Sequence, residues 1–289
     1  MCPICPMPKN DMQWSSATPG LLIILIDQSG SMLAPCPGDP DHNKTQFASL
    51  AVNNIIDNII QKNFNGEEPK NRCFISVIGY NHNVSEITSG WLKDLVNNPK
   101  RIETMTKKVL DGTGGLVEQE VKKPIWVEPI TEDGATNMLG AFSLAKDLCK
   151  SWIDQNPDRP APVIINISDG MPYYDRKPVE TCMEETMDLA EEIKQIQNKD
   201  GKILIFNALI GNDSTTIEFP SDKDSIQNAA AKFIYDISSE VPESYKDAAE
   251  KNGFNVQSGS HGCIFNADAI GLVRLIDFGS TKGHADLRS

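Results

Sequence analysis

Six consecutive apolar residues, Leu21-Leu22-Ile23-Ile24-Leu25-Ile26, run directly into Asp27-Gln28-Ser29-Gly30-Ser31-Met32. A strand with one wet face alternates apolar and polar side chains. An unbroken apolar run instead marks a strand covered on both faces, as in parallel sheets flanked by helices. The stretch 163–167 repeats the pattern and ends on Ser168-Asp169-Gly170. Two such strands restrict the chain to architectures in which helices protect both sides of the sheet.

The intervening sequence supplies those helices. Residues 45–62 carry Phe47, Ala51, Ile55 and Ile59, with Val52, Ile56 and Ile60 beside them. Steps of four mark an amphipathic helix. The stretch after Thr136 places Met138, Ala141, Phe142, Ala145, Leu148 and Trp152 on one helical face, and further helices are expected at 98–110, 179–197, 243–251 and 267–277. Strands are expected at 74–78, paired with 84–88 across the Tyr80–Asn83 turn, and at 125–127, 203–209 and 263–265. Repeated strand-then-helix units imply an α/β fold with a doubly wound, mostly parallel, Rossmann-like sheet and helices on both faces. The reading places one domain over 20–278, with an N-terminal tail at 1–19 and a C-terminal tail at 279–289. The stretches 111–129 and 212–241 fit the rhythm poorly and read as surface insertions.

In open parallel sheets, ligands bind beyond the carboxyl ends of the strands, near the point where strand order reverses. Three polar turns stand at such places: Asp27 to Met32, Asp133-Gly134-Ala135-Thr136-Asn137, and Ser168 to Pro172. Together they offer two carboxylates, Asp27 and Asp169, and three hydroxyls, Ser29, Ser31 and Thr136. All are hard oxygen donors, the set that suits Mg²⁺, with Mn²⁺ and Ca²⁺ as alternatives. Cys or His would suit softer ions, and neither occurs within these turns.

In order and spacing, Asp27-x-Ser29-x-Ser31, Thr136 and Asp169-Gly170 resemble the metal-ion-dependent adhesion site of von Willebrand factor A (vWA) domains, over about residues 20–278. That resemblance implies that Ser29, Ser31 and Thr136 contact the ion directly or by turns, and that Asp27 and Asp169 act directly or through water. It implies a non-enzymatic interaction module in which a protein partner supplies a carboxylate to the bound metal. Within the family, the chain resembles the intracellular bacterial tellurite-resistance TerY type, which implies a signalling scaffold whose partner is a kinase or phosphatase. Two alternatives stand beside this: a metal-dependent phosphotransferase or hydrolase, and a vWA subunit of a chelatase-type ATPase complex. The first lacks a convincing base, since His42, His82, His261 and His284 lie in loops or the tail, and Ser29 stands where a haloacid-dehalogenase pattern needs a second Asp. The second requires the nucleotide site to belong to the partner, because the chain has no Walker A pattern.

Composition narrows the partners. The net charge of −13, from 40 acidic and 27 basic residues, disfavours nucleic acid and anionic membranes. No run approaches a membrane span. The opening MCPICPMPKNDMQWSS lacks a basic region followed by an apolar run, and Cys73, Cys149 and Cys182 sit in apolar-periodic stretches as reduced thiols. These features read as cytoplasmic. Cys2-x-x-Cys5 with Cys36 and His42 offers zinc ligands at non-standard spacing. The loop 33–43 and the pair Tyr173-Tyr174 adjoin the candidate site as possible determinants of partner choice, with plain packing as the alternative for each. Trp91, Trp126 and Trp152 are expected to fill core or half-buried gaps.

Overall fold

A computed structural model describes residues 9–36, 39–110, 116–130, 132–211 and 215–280. Seven strands form the central sheet: β1 (Gly20–Asp27), β2 (Cys73–Tyr80), β3 (Val84–Trp91), β4 (Val163–Ser168), β5 (Leu204–Leu209), β6 (Ile217–Glu218) and β7 (Cys263–Phe265). Their spatial order is β6-β7-β5-β4-β1-β2-β3. The five inner strands are parallel, and an antiparallel strand closes each edge. This is the expected doubly wound α/β class. The order reverses at β1, whose neighbours are β2 on one side and β4 on the other. The carboxyl ends of β1 and β4 therefore flank the crevice where such folds bind ligands.

All eight residues of β1 are buried, as an unbroken apolar run requires. Leu22, Ile24 and Ile26 pack with α1 (Lys44–Lys62) and α5 (Ala269–Gly279) on one face. Leu21, Ile23 and Leu25 meet α2 (Met138–Gln155), α3 (Val179–Gln195) and α4 (Ala229–Ile237) on the other. Asn43 starts α1 with a reciprocal capping box, its side chain accepting from Gln46 N while the Gln46 side chain accepts from Asn43 N.

Several local expectations give way to tertiary pairing. Residues 101–110, expected within a helix, form a strand that pairs with Leu116–Ile125 as a separate two-stranded antiparallel ribbon. Ile102, Met105 and Val109 mimic a helical stripe, but Ile102, Thr104, Thr106 and Val109 are β-branched, and stiff side chains favour the extended form once a partner strand is present. The expected strand at 125–127 is absent. Ile125 ends the ribbon, and the Asn53 side chain satisfies the next backbone, accepting from Trp126 N and Val127 N and donating to Val127 O. A side chain here does what a ladder would otherwise do.

The insertion reading of 212–241 also fails in part. Residues 215–241 contain an edge strand and α4, whose Phe233, Ile234 and Ile237 are buried in the core. The acidic, turn-rich start of the segment masks a short apolar helix. Of the N-terminal segment read as a tail, residues 9–19 lie against the fold. Trp14 is buried over Gly20, where any Cβ would collide with the indole. Residues 1–8 and 281–289, which include Cys2, Cys5 and His284, lie outside the described residues. Cys36 is buried in the apolar cluster around Met32 and Phe47. Among the described residues, no helix is long and apolar enough to cross a membrane.

Candidate functional site

β1 delivers Asp27 at its carboxyl end, fully buried. The chain then turns back on the same carboxylate, with Ser29 N donating to Asp27 Oδ1 at 2.9 Å. The second carboxylate oxygen, Oδ2, accepts from the Ser168 hydroxyl at the end of β4 at 2.7 Å. Asp27 is thus the floor of the site, gripped by its own following turn and by β4. Burial pushes its carboxyl up to about 6 from 3.8, with the nearby Asp169 charge adding to the rise and the Ser29 and Ser168 hydrogen bonds opposing it. On the same floor, the Tyr80 hydroxyl donates to Asn166 Oδ1 at 2.8 Å. Burial, then the Asp27 charge, pushes that phenol well above its ordinary range.

Above the floor, the Ser29 and Ser31 hydroxyls lie 3.1 Å apart. The Ser31 hydroxyl donates to Asp169 Oδ1 at 2.7 Å. Four of the five expected residues are therefore joined by direct hydrogen bonds across 142 positions of chain (27 to 169).

Thr136 enters differently. Its backbone pairs with Tyr173 in both directions, Thr136 N to Tyr173 O at 2.8 Å and Tyr173 N to Thr136 O at 3.0 Å. Two residues earlier, Gly134 O accepts from Gly30 N at 3.0 Å. The Thr136 turn is thus stitched to the first turn at Gly30 and to the third at Tyr173. Among the described residues, no hydrogen bond joins its hydroxyl to the other four side chains. A Cβ at Gly30 would overlap the exposed Asp133 carboxylate, which accepts from Gly134 N at 2.8 Å and would have to swing away.

Two side chains outside the five expected ligands prove to be part of the site. Ser168 adjoins Asp169 and holds Asp27. Lys44, the first residue of α1, reaches Asp169 Oδ2 with its ammonium at 2.7 Å, the two side chains being 7% and 3% exposed. The sequence did carry a signal for Lys44. A cation in the first turn of a helix opposes the helix dipole and calls for a nearby anion. Conversely, the Tyr173-Tyr174 pair splits. Tyr173 is 47% exposed at the rim, whereas Tyr174 is buried and donates to Glu185 Oε2 at 2.6 Å. Trp126 is buried, and its indole donates to Leu95 O at 2.9 Å, while Trp91 and Trp152 pack edge-on or tilted against Phe74 and each other in a half-buried cluster far down the sheet.

The donor set fits a small hard cation: two carboxylates and two hydroxyls converge, with a third hydroxyl on a turn tied to both. Among the described residues, no cluster of three or more His, Cys, Asp or Glu is placed to hold a metal, so an ion here depends on the serine and threonine oxygens.

No family model matches the chain, and no curated protein matches it. Solved structures similar to it include the conserved hypothetical protein BatB from Bacteroides thetaiotaomicron, at 15% identity over 66% of this chain and 66% of that one, TM-score 0.36. The ArnB paralog VWA2 from Sulfolobus acidocaldarius is 16% identical over 68% of this chain and 36% of that one, TM-score 0.35. The vWF domain of the type V pili tip protein Mfa5 from Porphyromonas gingivalis is 16% identical over 54% of this chain and 39% of that one, TM-score 0.30. The chain thus spans from about a third to about two-thirds of the length of these structures. At these scores the likeness adds nothing to what the strand order itself establishes.

Proposed function

We propose that this chain is a divalent-cation-dependent protein-interaction module of the vWA type, which binds a carboxylate of a partner protein through a metal held by Asp27, Ser29, Ser31, Thr136 and Asp169. The observation that carries this reading is the continuous hydrogen-bonded path from Asp27 through Ser29 and Ser31 to Asp169, at the point where strand order reverses. Hard oxygen donors already drawn together in this way need little rearrangement to receive a small cation.

When bound, the ion, Mg²⁺ by preference with Mn²⁺ or Ca²⁺ as alternatives, supplies a positive charge that a partner carboxylate can ligate. This chain's own residues do the rest. Asp27 anchors the first turn, Ser168 and the backbone of Ser29 fix its orientation, and the paired backbones of Thr136 and Tyr173 hold the remaining turns in register. Exposed Met171 and Tyr173 form an apolar rim beside Asp169, suited to contact a partner around its acidic residue. The carboxylate beside Ser31 is itself neutralised by Lys44, and the chemistry assigned to the site is recognition rather than turnover. A kinase, phosphatase or ATPase is the partner class that the TerY and chelatase resemblances imply.

Two measurements test this. Calorimetric titration of the metal-free chain with Mg²⁺ or Mn²⁺ should show one site, lost in Asp27→Ala with the fold intact by circular dichroism. A pull-down from the native host should recover a partner in Mg²⁺ and release it in EDTA. Absence of metal binding by the wild-type chain, or partner capture that persists in EDTA, refutes the proposal.

A further inference from the structure

Lys44 brings a permanent positive charge into the oxygen cluster. Its ammonium lies 2.7 Å from Asp169 Oδ2, while the other oxygen of the same carboxylate accepts from Ser31 at 2.7 Å. Both partners of the ion pair are more than nine-tenths buried. The lysine is held from its backbone as well: Lys44 N donates to Ala34 O at 3.0 Å, and Asn43 caps the helix immediately before it. It is therefore a fixed part of the site rather than a surface side chain that happens to reach it. A cation at the first residue of a helix also faces the positive end of the helix dipole, so its position is sustained by Asp169 and not by α1 itself.

The charge balance of the site follows. Asp27 and Asp169 carry two negative charges and Lys44 one positive charge, which leaves a single net negative charge for a divalent ion to meet. With the ion in place the cluster becomes net positive, and the burial of Asp27 and of the Lys44 and Asp169 side chains limits the screening of that charge. Without Lys44 the same loaded cluster is neutral. We infer that Lys44 sets the selectivity of this site: it weakens binding of the bare divalent ion and strengthens binding of an anionic ligand to the loaded site, so that metal and partner carboxylate bind cooperatively. This inference rests on the metal reading above and deepens it, by giving a residue outside the expected five the task of favouring a carboxylate over a neutral ligand.

The test uses the full chain, Mn²⁺ as the metal and acetate as the carboxylate. Three proteins are compared: wild type, Lys44→Gln, which keeps a donor toward Asp169 without the charge, and Lys44→Arg, which keeps the charge. Mn²⁺ affinity is measured by calorimetry with and without excess acetate, after circular dichroism has verified folding. Removal of one cation paired with a buried carboxylate is expected to tighten Mn²⁺ binding about tenfold in Lys44→Gln. Acetate should tighten Mn²⁺ binding in the wild type and in Lys44→Arg, and do so less in Lys44→Gln. Should Lys44→Gln fail to fold, Lys44→Met provides the uncharged comparison. If the wild type binds no Mn²⁺, the metal reading itself falls. If the wild type binds Mn²⁺ but a folded uncharged variant binds it no more tightly, or keeps the full acetate effect, the role of Lys44 alone is overturned.

Discussion

Ser168 and Asp27, 141 positions apart, share a 2.7 Å hydrogen bond across the two adjacent strands at the point where the sheet order reverses. The bond leaves Asp27 oriented from both sides, since its other oxygen accepts from Ser29 N. It is the strut on which the first turn of the site stands.

Ser168→Ala should therefore act on the site without touching any expected ligand. It leaves one oxygen of a fully buried carboxylate short of a donor, a loss of about 1–3 kcal/mol in metal-free stability. Because that bond lowers the Asp27 pKa, its removal should also move the onset of Mg²⁺ binding to higher pH. Urea denaturation in EDTA and Mg²⁺ titrations at several pH values measure the two effects. Wild-type behaviour in both would show that the strut is dispensable.

Asp27→Asn should separate stability from metal binding. The folded carboxyl titrates near 6 and the unfolded one at 3.8, so the metal-free fold loses stability as pH rises through that window. Two pKa units correspond to about 3 kcal/mol of lost stability above pH 6. In EDTA, Asp27→Asn should match or trail the wild type near pH 4 and exceed it at pH 7, while binding no Mg²⁺. A stability difference that stays constant from pH 4 to pH 7 would contradict the burial of this charge.

Gly30→Ala should loosen the seam between the first two turns. Its Cβ would overlap the Asp133 carboxylate and displace it from Gly134 N. Metal affinity should fall severalfold, and the double variant Gly30→Ala with Asp133→Ala should recover much of it by removing the clash. Additive losses in that double-mutant cycle would show that the two residues do not meet.

Asn53→Ala tests the side chain that takes the place of a strand ladder. Three hydrogen bonds to Trp126 and Val127 vanish together in a buried setting. The expected cost is about 2–4 kcal/mol, read as a lower urea midpoint with an unchanged slope. Asn53→Asp keeps the acceptor for the two backbone donors and should lose less at neutral pH than Asn53→Ala.

Much of this was legible in the chain alone. The unbroken run from Leu21 to Ile26 determined a doubly covered strand, because a backbone of period two exposes every second residue unless both faces are capped. The steps of four from Phe47 to Ile60 determined α1, and the small polar turn from Asp27 to Ser31 determined where a cation could be held. These are signals of near neighbours, written within one element.

What the tertiary structure decided lies between residues far apart in sequence. Arg101 to Leu110 became a strand because Leu116 to Ile125 returned beside it, and a propensity for helix or strand is too weak to withstand a full partner ladder. Asn53 replaced a strand at 126–127 from 73 positions away, and Lys44 found Asp169 across 125. A long side chain at a helix start faces whichever loop the sheet order brings above it, and no local period encodes that loop. The charge of the site, unlike its candidate oxygen donors, was fixed only when α1 and β4 were packed side by side.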